Sequence, residues 1–363
     1  MSEVEPVLQT IKHAVRELRA YSLSPHRASV KINQNENPWD FPESIKQETL
    51  RRLQTRSWSR YPEFVATSLN QCVAGFAGWK SDGVIAGNGS NELIQALLMV
   101  SVEPGKRVLI SEPTFALYRQ VTTVLGGQII SVPMTDSFNF DVPALLKTIQ
   151  RSEPEVVILC SPNNPTGSSI EDEDLRRLLA AAPGLVVIDE AYHEFAGHSV
   201  VPLLSEFPNL VVLRTFSKAM GLAGMRIGYL LAAPQLVTEI RKAVLPYNLN
   251  VFSQTVAEVA VEMYESELVP YVKKIIGERE RLFAQLNTIG GLKPVPSKAN
   301  FMIVRTGINP RRIFDELYAR DILVRDVSAY PMLKDYFRFN VGTPDENDQL
   351  IGGLNEIMSG STQ

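Results

Sequence analysis

Lys218 follows the apolar run Val211–Leu213 and lies in the tract Ser217-Lys-Ala-Met-Gly-Leu-Ala-Gly-Met-Arg226. A partly desolvated lysine amine loses its proton and can condense with a carbonyl to form an imine. A lone lysine in a strand-to-helix connection is ordinarily a solvated surface group. Here Gly221, Gly224, Arg226 and the Ser217 hydroxyl crowd the same tract. Three more apolar runs end on polar groups. Val157–Cys160 passes into Ser161-Pro-Asn-Asn-Pro-Thr-Gly167, Val186–Ile188 into Asp189-Glu-Ala-Tyr192, and Val84–Ala86 into Gly87-Asn-Gly-Ser-Asn-Glu92. A carboxylate at Asp189 is costly to bury without a cation, which a protonated pyridine nitrogen would supply; capping the next helix is its competing role. Tyr192 suits a site or the core, and Asn164 suits a site or its own proline-bracketed turn. Gly89, Ser90 and Asn91 open a helix whose free N–H groups would hold a phosphate, or would need only a cap. The glycine spacing there stops short of a dinucleotide fingerprint.

Other chemistries are disfavoured. His13, His26, His193 and His198 lack metal-ligand spacing, so no metal is expected. No Gly-x-Ser-x-Gly elbow stands beside a plausible triad. Lys+Arg number 36 against Asp+Glu 40, a net charge of -4 that gives no reason to expect nucleic acid. Cys72 and Cys160 alone make a disulfide framework improbable and suggest a reducing compartment. No stretch has the length and apolarity to span a bilayer, and the N-terminus has no apolar signal segment. A cytoplasmic location without a membrane partner is the expectation.

Ligands of open α/β sheets bind outside the carboxyl ends of the strands, so these residues require a sheet that aligns those ends. From about residue 80 short Val/Ile-rich runs, Arg107–Ile110, Glu155–Cys160, Leu185–Ile188 and Leu210–Leu213, alternate with helical patterns at Asn91–Val102, Asp172–Ala182 and Pro234–Val244. Runs this short and apolar on both faces suit a largely parallel sheet between helices, an α/β fold. The acids Glu171–Asp174 open one of the helices, where its dipole favours them. Before this region the pattern predicts a short helix Val7–Arg19, an arm to residue 30, an extended Lys31–Asn37, and helices near Pro42–Arg56 and Val65–Gly78. After it come a long helix from Ser253 to about Asn287, strands Phe301–Val304, Ile322–Arg325 and Phe337–Val341, and helices Arg311–Arg320 and Asp345–Met358. The expected organisation is an arm (1–30), a large domain (31–250) whose start packs near the small one, and a smaller α+β domain (251–363).

The tracts around Asn164, Asp189 and Lys218, in that order and continuing through Arg226-Ile-Gly-Tyr229, resemble the core signature of fold-type I, pyridoxal 5'-phosphate-dependent aminotransferases. Asn35-Glu-Asn-Pro38, Arg60-Tyr-Pro62, Pro113-Thr-Phe115, Pro246-Tyr-Asn248, Pro296-Ser-Lys-Ala-Asn-Phe301, Val324-Arg-Asp326 and Arg338-Phe-Asn-Val-Gly-Thr343 resemble the histidinol-phosphate branch, so the likeness covers most of the chain. The resemblance implies that Lys218 carries the cofactor as an imine and later moves the substrate proton. It implies that Asp189 pairs with the pyridine nitrogen, that Asn164 and Tyr192 bind the phenolic oxygen, and that Phe115 stacks on the ring, where many relatives have Tyr. Gly89, Ser90, Asn91, Ser217 and Arg226 would hold the cofactor phosphate, with Tyr61 arriving from the partner of a homodimer. Arg338 would grip the substrate's anionic end, and Arg325 and Tyr21 its phosphate. Ala20 departs from the Pro that often precedes that tyrosine.

The activity so implied is transfer of the amino group of L-histidinol phosphate to the 2-oxo acid 2-oxoglutarate, giving imidazole-acetol phosphate and glutamate in histidine biosynthesis. An aromatic amino-acid aminotransferase would keep nearly every residue named, and a threonine-phosphate decarboxylase would share the cofactor site. A non-catalytic binding module on the same fold is the remaining alternative, and turnover separates it from the others.

Overall fold

The computed structural model describes residues 5–18 and 26–360. Its centre is a seven-stranded sheet. Across the sheet the strands run Val84–Gly87, Gly228–Ala232, Leu210–Thr215, Leu185–Asp189, Val156–Cys160, Arg107–Glu112 and Gln128–Pro133. All neighbours are parallel except the two pairings made by Gly228–Ala232. The inner strands are buried along almost their whole length because helices cover both faces. Side chains alternate between the two layers. Val157, Leu159, Val186 and Ile188 pack into one cluster, while Val156, Ile158, Cys160 and Val187 pack into the other. Each fully buried aliphatic side chain contributes roughly 1.5–3 kcal/mol. A one-residue slip would reverse every facing, so the register is strongly held.

A smaller unit lies alongside, an antiparallel sheet ordered Arg325–Asp326, Tyr336–Asn340, Phe301–Thr306 and Leu292–Pro294. Strand Val30–Lys31 pairs in parallel with Ile322–Leu323, and Val30 and Ile32 join the smaller unit's core. Helix Val251–Glu262 instead packs with the large cluster through Val256, Ala257 and Val259. The architecture is α/β with a smaller α+β part.

Four local expectations are corrected. Residues 7–19 form no continuous helix, only the turns Glu5–Leu8 and His13–Arg16; Val7, Leu8 and Ile11 are exposed, and a short helix without a buried face is marginal. The helix expected over 253–287 divides into Val251–Glu262 and Val269–Leu286 around a π-turn at Tyr264–Leu268. Pro270 sits in the first turn of the second helix, where its missing N–H costs nothing; mid-helix it would break the ladder. Ile322–Arg325 divides at Val324, because its two halves pair with different strands. Past Lys31 the chain leaves strand geometry and reaches a left-handed Asn35 with φ 56°.

Behind the strand ends lies a buried ion pair. Glu190 accepts from Arg214 Nε at 2.9 Å, from Ser199 Oγ at 3.0 Å and from the Val200 N–H at 2.6 Å. Arg214 also donates to Tyr229 Oη at 3.4 Å. The pair locks the segment after Asp189 to the strand before Lys218. Arg214→Leu leaves an uncompensated buried carboxylate and should cost about 3–5 kcal/mol in urea unfolding. Adding Glu190→Gln should recover part of that loss; no recovery would mean the damage is one of packing, not charge.

Candidate active site

The carboxyl edge of the large sheet and one face of the smaller sheet enclose a cavity of about 540 Å³. Parallel register sets Cys160 beside Asp189 and Asp189 beside Leu213, so the tracts that follow leave the sheet at one level. Asn164, Asp189, Tyr192, Ser217 and Lys218 accordingly line the same cavity. Ser90, Asn91, Phe115 and Arg226 join them from the large unit, and Arg325 and Arg338 from the smaller one.

Lys218 Nζ donates to the Gln34 carbonyl at 3.2 Å and lies 5.9 Å from the centre of the Tyr192 ring. Burial lowers its pKa to about 8, helped by the positive charges of Arg338 and Arg226 and opposed by Glu36. Asp189 is 3% exposed. One of its oxygens accepts from Tyr118 Oη at 2.7 Å and the other from the Ala191 N–H at 3.1 Å. Burial still raises this carboxyl above its ordinary pKa, against those hydrogen bonds. The Tyr192 phenol is raised too by burial, with Arg338 and Asn35 opposing. Its oxygen accepts from Asn35 Nδ2 at 3.1 Å and Asn164 Nδ2 at 3.3 Å. Asn164 Oδ1 in turn accepts from Arg338 Nη1 at 2.6 Å, and Arg338 Nη2 reaches the Asn33 carbonyl at 3.1 Å.

One end of the cavity is shaped for an anion. Helix Ser90–Ser101 begins there, with Gly89 before it at φ +81°. A Cβ at Gly89 would stand 2.6 Å from Arg226 Nη2, and one at Gly228 would stand 2.4 Å from the Ser90 nitrogen. Only glycines let the arginine and the helix start converge. Arg226 is itself left-handed at φ 54° and donates to Ser217 Oγ at 3.3 Å. Helix N–H groups, a hydroxyl and a guanidinium in one cradle are a phosphate's natural partners.

Of the two anticipated residues still to be placed, only Tyr61 is described, and it is not part of this cavity's lining. Tyr61 is 81% exposed, away from this cavity, and stacks on Tyr247 with ring centres 4.6 Å apart. Tyr21 falls outside the described residues. Sequence reasoning missed Tyr118, which holds Asp189, and gave no role to Asn35. Tyr118 stands three residues after Phe115 at the start of helix Leu117–Leu125; that spacing was the available signal, and nothing local shows that its hydroxyl meets residue 189. Arg325 and Arg338 are direct cross-strand partners, a placement of like charges that favours an anion between or beside them. Among the described residues no cluster of three or more His, Cys, Asp or Glu could hold a metal, and no helix is long and apolar enough to cross a membrane.

Residues 28–354 match the family described as aminotransferase class I and II. The chain is 37% identical over 356 residues to histidinol-phosphate aminotransferase of Chlorobium phaeovibrioides (strain DSM 265 / 1930), covering 98% of each. It is 41% identical over 352 residues to histidinol-phosphate aminotransferase 1 of Carboxydothermus hydrogenoformans, covering 96% of this chain and 98% of that one. The crystal structure of histidinol-phosphate aminotransferase from Sinorhizobium meliloti in complex with pyridoxal-5'-phosphate superposes with a TM-score of 0.87. It is 26% identical, with 96% of this chain and 98% of that one covered.

Only the neutral form of an amine is nucleophilic, so Lys218 should lose reactivity as pH falls through its pKa of about 8. In cofactor-free protein, acylation of Lys218 followed by mass spectrometry should show a midpoint near that value. Exposed lysines should follow their ordinary value of about 10.4; a Lys218 midpoint among them would contradict its desolvation.

Proposed function

The chain belongs to the class I and II aminotransferases, and from that membership we propose that it moves the amino group of L-histidinol phosphate to 2-oxoglutarate. The products are imidazole-acetol phosphate and glutamate. The observation that carries this reading is the enclosure of a desolvated Lys218 amine, a buried Asp189 carboxylate and the Arg325–Arg338 pair around one cavity. The fold is that of the fold-type I enzymes, and the cofactor is pyridoxal 5'-phosphate. The cradle at Gly89 fits its phosphate, and the buried carboxylate of Asp189 fits a protonated ring nitrogen. When bound, this group supplies a carbonyl that condenses with amines and a ring that draws electrons from the substrate's α-carbon.

The protein's own residues do the rest. Lys218 would hold the cofactor through its side-chain amine and would be freed when a substrate amine binds. Its free amine, with a pKa lowered to about 8, would take the proton from the substrate α-carbon and pass it to the cofactor. Asp189, dry and fixed by Tyr118 and the Ala191 N–H, keeps a ring nitrogen protonated as a neutral acid could not. Tyr192 and Asn164 would hold the cofactor's phenolic oxygen, and Phe115 would stack on its ring. Gly89, Ser90, Asn91, Ser217 and Arg226 hold the phosphate. Arg338 would receive the anionic end of the substrate, since guanidinium binds carboxylate and phosphate alike, and Arg325 would add to the hold on a phosphate. A second copy of the chain brings Tyr61 to the neighbouring site. The exposed Tyr61, Tyr247 and Phe64, whose rings pack on one another, support that assembly, for contiguous exposed apolar groups mark a contact surface.

The deciding assay sets histidinol phosphate beside phenylalanine and tyrosine, with 2-oxoglutarate as acceptor. Histidinol phosphate should give the highest kcat/KM. If it is inert while the aromatic acids turn over, the branch assignment fails, and if nothing turns over a binding module is favoured. Lys218→Ala should abolish turnover and the protein's visible absorbance. Arg325→Ala should lower kcat/KM for histidinol phosphate by roughly tenfold to a hundredfold, the worth of one or two charged hydrogen bonds. Carboxylate donors should suffer far less; equal losses would deny Arg325 its role.

A further inference from the structure

Asn35 stands where the chain crosses from the smaller sheet to the large one. It is 1% exposed and holds a left-handed backbone, φ 56°, which asparagine tolerates better than other residues with a side chain. Its polar groups go three ways. The N–H donates to Asn340 Oδ1 at 3.0 Å, and the carbonyl accepts from Asn300 Nδ2 at 3.2 Å. Those two contacts belong to the smaller unit, since Asn340 ends the strand that carries Arg338 and Asn300 precedes Phe301–Thr306. The third contact leaves it: Nδ2 donates to the Tyr192 oxygen at 3.1 Å.

The donors fix the direction of the Asn164 bonds, while Asn35 turns its Nδ2 to Tyr192 and leaves its buried Oδ1 without a hydrogen-bond partner among the described residues. Arg338 can only donate, so Asn164 must turn its Oδ1 to the guanidinium and its Nδ2 to Tyr192. A phenol oxygen has two lone pairs and one proton. With Asn164 on one lone pair and Asn35 on the other, the Tyr192 proton has only the cavity side left.

We propose that Asn35 is a positioning residue that, together with Asn164, commits the Tyr192 hydroxyl to donating its proton into the cavity. The inference rests on the reading that Tyr192 faces the phenolic oxygen of the cofactor. It adds that Asn35, beside Asn164, joins the strand carrying Arg338 to the orientation of this hydroxyl, so displacing that strand releases the proton's direction.

The readout is the pH midpoint of the bound cofactor's visible absorbance, which a merely structural loss leaves in place. A hydrogen bond donated to an anionic oxygen stabilises it, so losing the bond raises the midpoint. Asn35→Asp keeps the shape and tolerates the left-handed backbone, but its carboxylate accepts the Tyr192 proton. The midpoint should rise by about one unit, a tenfold change, and kcat/KM should fall. Added negative charge also raises the midpoint, so the substitution is repeated in a Y192F background, where no hydroxyl remains to turn. There the rise should be less than half as large; equal rises in both backgrounds overturn the proposal. Asn35→Gly keeps the positive φ and removes the donor without adding charge, and should raise the midpoint by a smaller amount. An unmoved midpoint in that variant also overturns the proposal. If Y192F alone leaves the midpoint unchanged, the assignment of Tyr192 to the phenolic oxygen is what failed, and the proposal falls with it.

Discussion

A carboxylate buried at the end of a central strand sets the terms for the rest of the site. Placing Asp189 away from water costs several kcal/mol unless hydrogen bonds and a positive charge compensate. Tyr118 and the Ala191 N–H supply two neutral donors, yet the carboxyl is still pushed toward its protonated form. The same dry cavity acts in the opposite sense on Lys218, making its amine easier to deprotonate. One environment thus moves an acid and a base toward neutrality together. A cationic ring at Asp189 and an electrophilic carbon at Lys218 are the complements that such a pair lacks.

Holding those two groups in one cavity is the work of sheet register. Cys160 and Asp189 are direct partners, and Asp189 pairs with Leu213 five residues before Lys218. The glycines complete the alignment at the far strand. Gly228 lets the strand pass the first turn of helix Ser90–Ser101, and Gly89 lets Arg226 reach it. Any side chain at either position would separate the arginine from the helix start, and the anion cradle would open. The Glu190–Arg214 pair behind the edge serves the same end, joining the two tracts that present Asp189 and Lys218.

The large sheet was legible because its signals are local. Short runs apolar on both faces end abruptly in polar tracts, and that pattern located the inner strands and the site residues on their ends. Local signals also explain the failures. Pro270 lies inside an otherwise regular helical pattern, and the proline decided the break. The apolar residues of the first turns match a helix but find no core to cover. Tyr118 and Asn35 were beyond reach for another reason. They act on residues 71 and 157 positions away, and no period or motif encodes which hydroxyl will meet which amide. The family resemblance pointed to groups that line the cavity, and only the fold shows the groups behind them.

The smaller sheet carries a cost that the larger one does not. Arg325 and Arg338 face each other across adjacent strands, an arrangement that disfavours the sheet when no anion is near. Arg338 donates meanwhile to Asn164 Oδ1 and the Asn33 carbonyl. An anionic substrate would relieve that repulsion, so binding it and stabilising this sheet are one interaction. Asn164 also touches Tyr192, and Asn35 ties Tyr192 to the strand that carries Arg338, so the hydrogen bonds of Arg338 run on into the cavity wall. Two adjacent guanidinium groups lining the cavity would therefore favour an anionic ligand over a neutral one before any bond is broken.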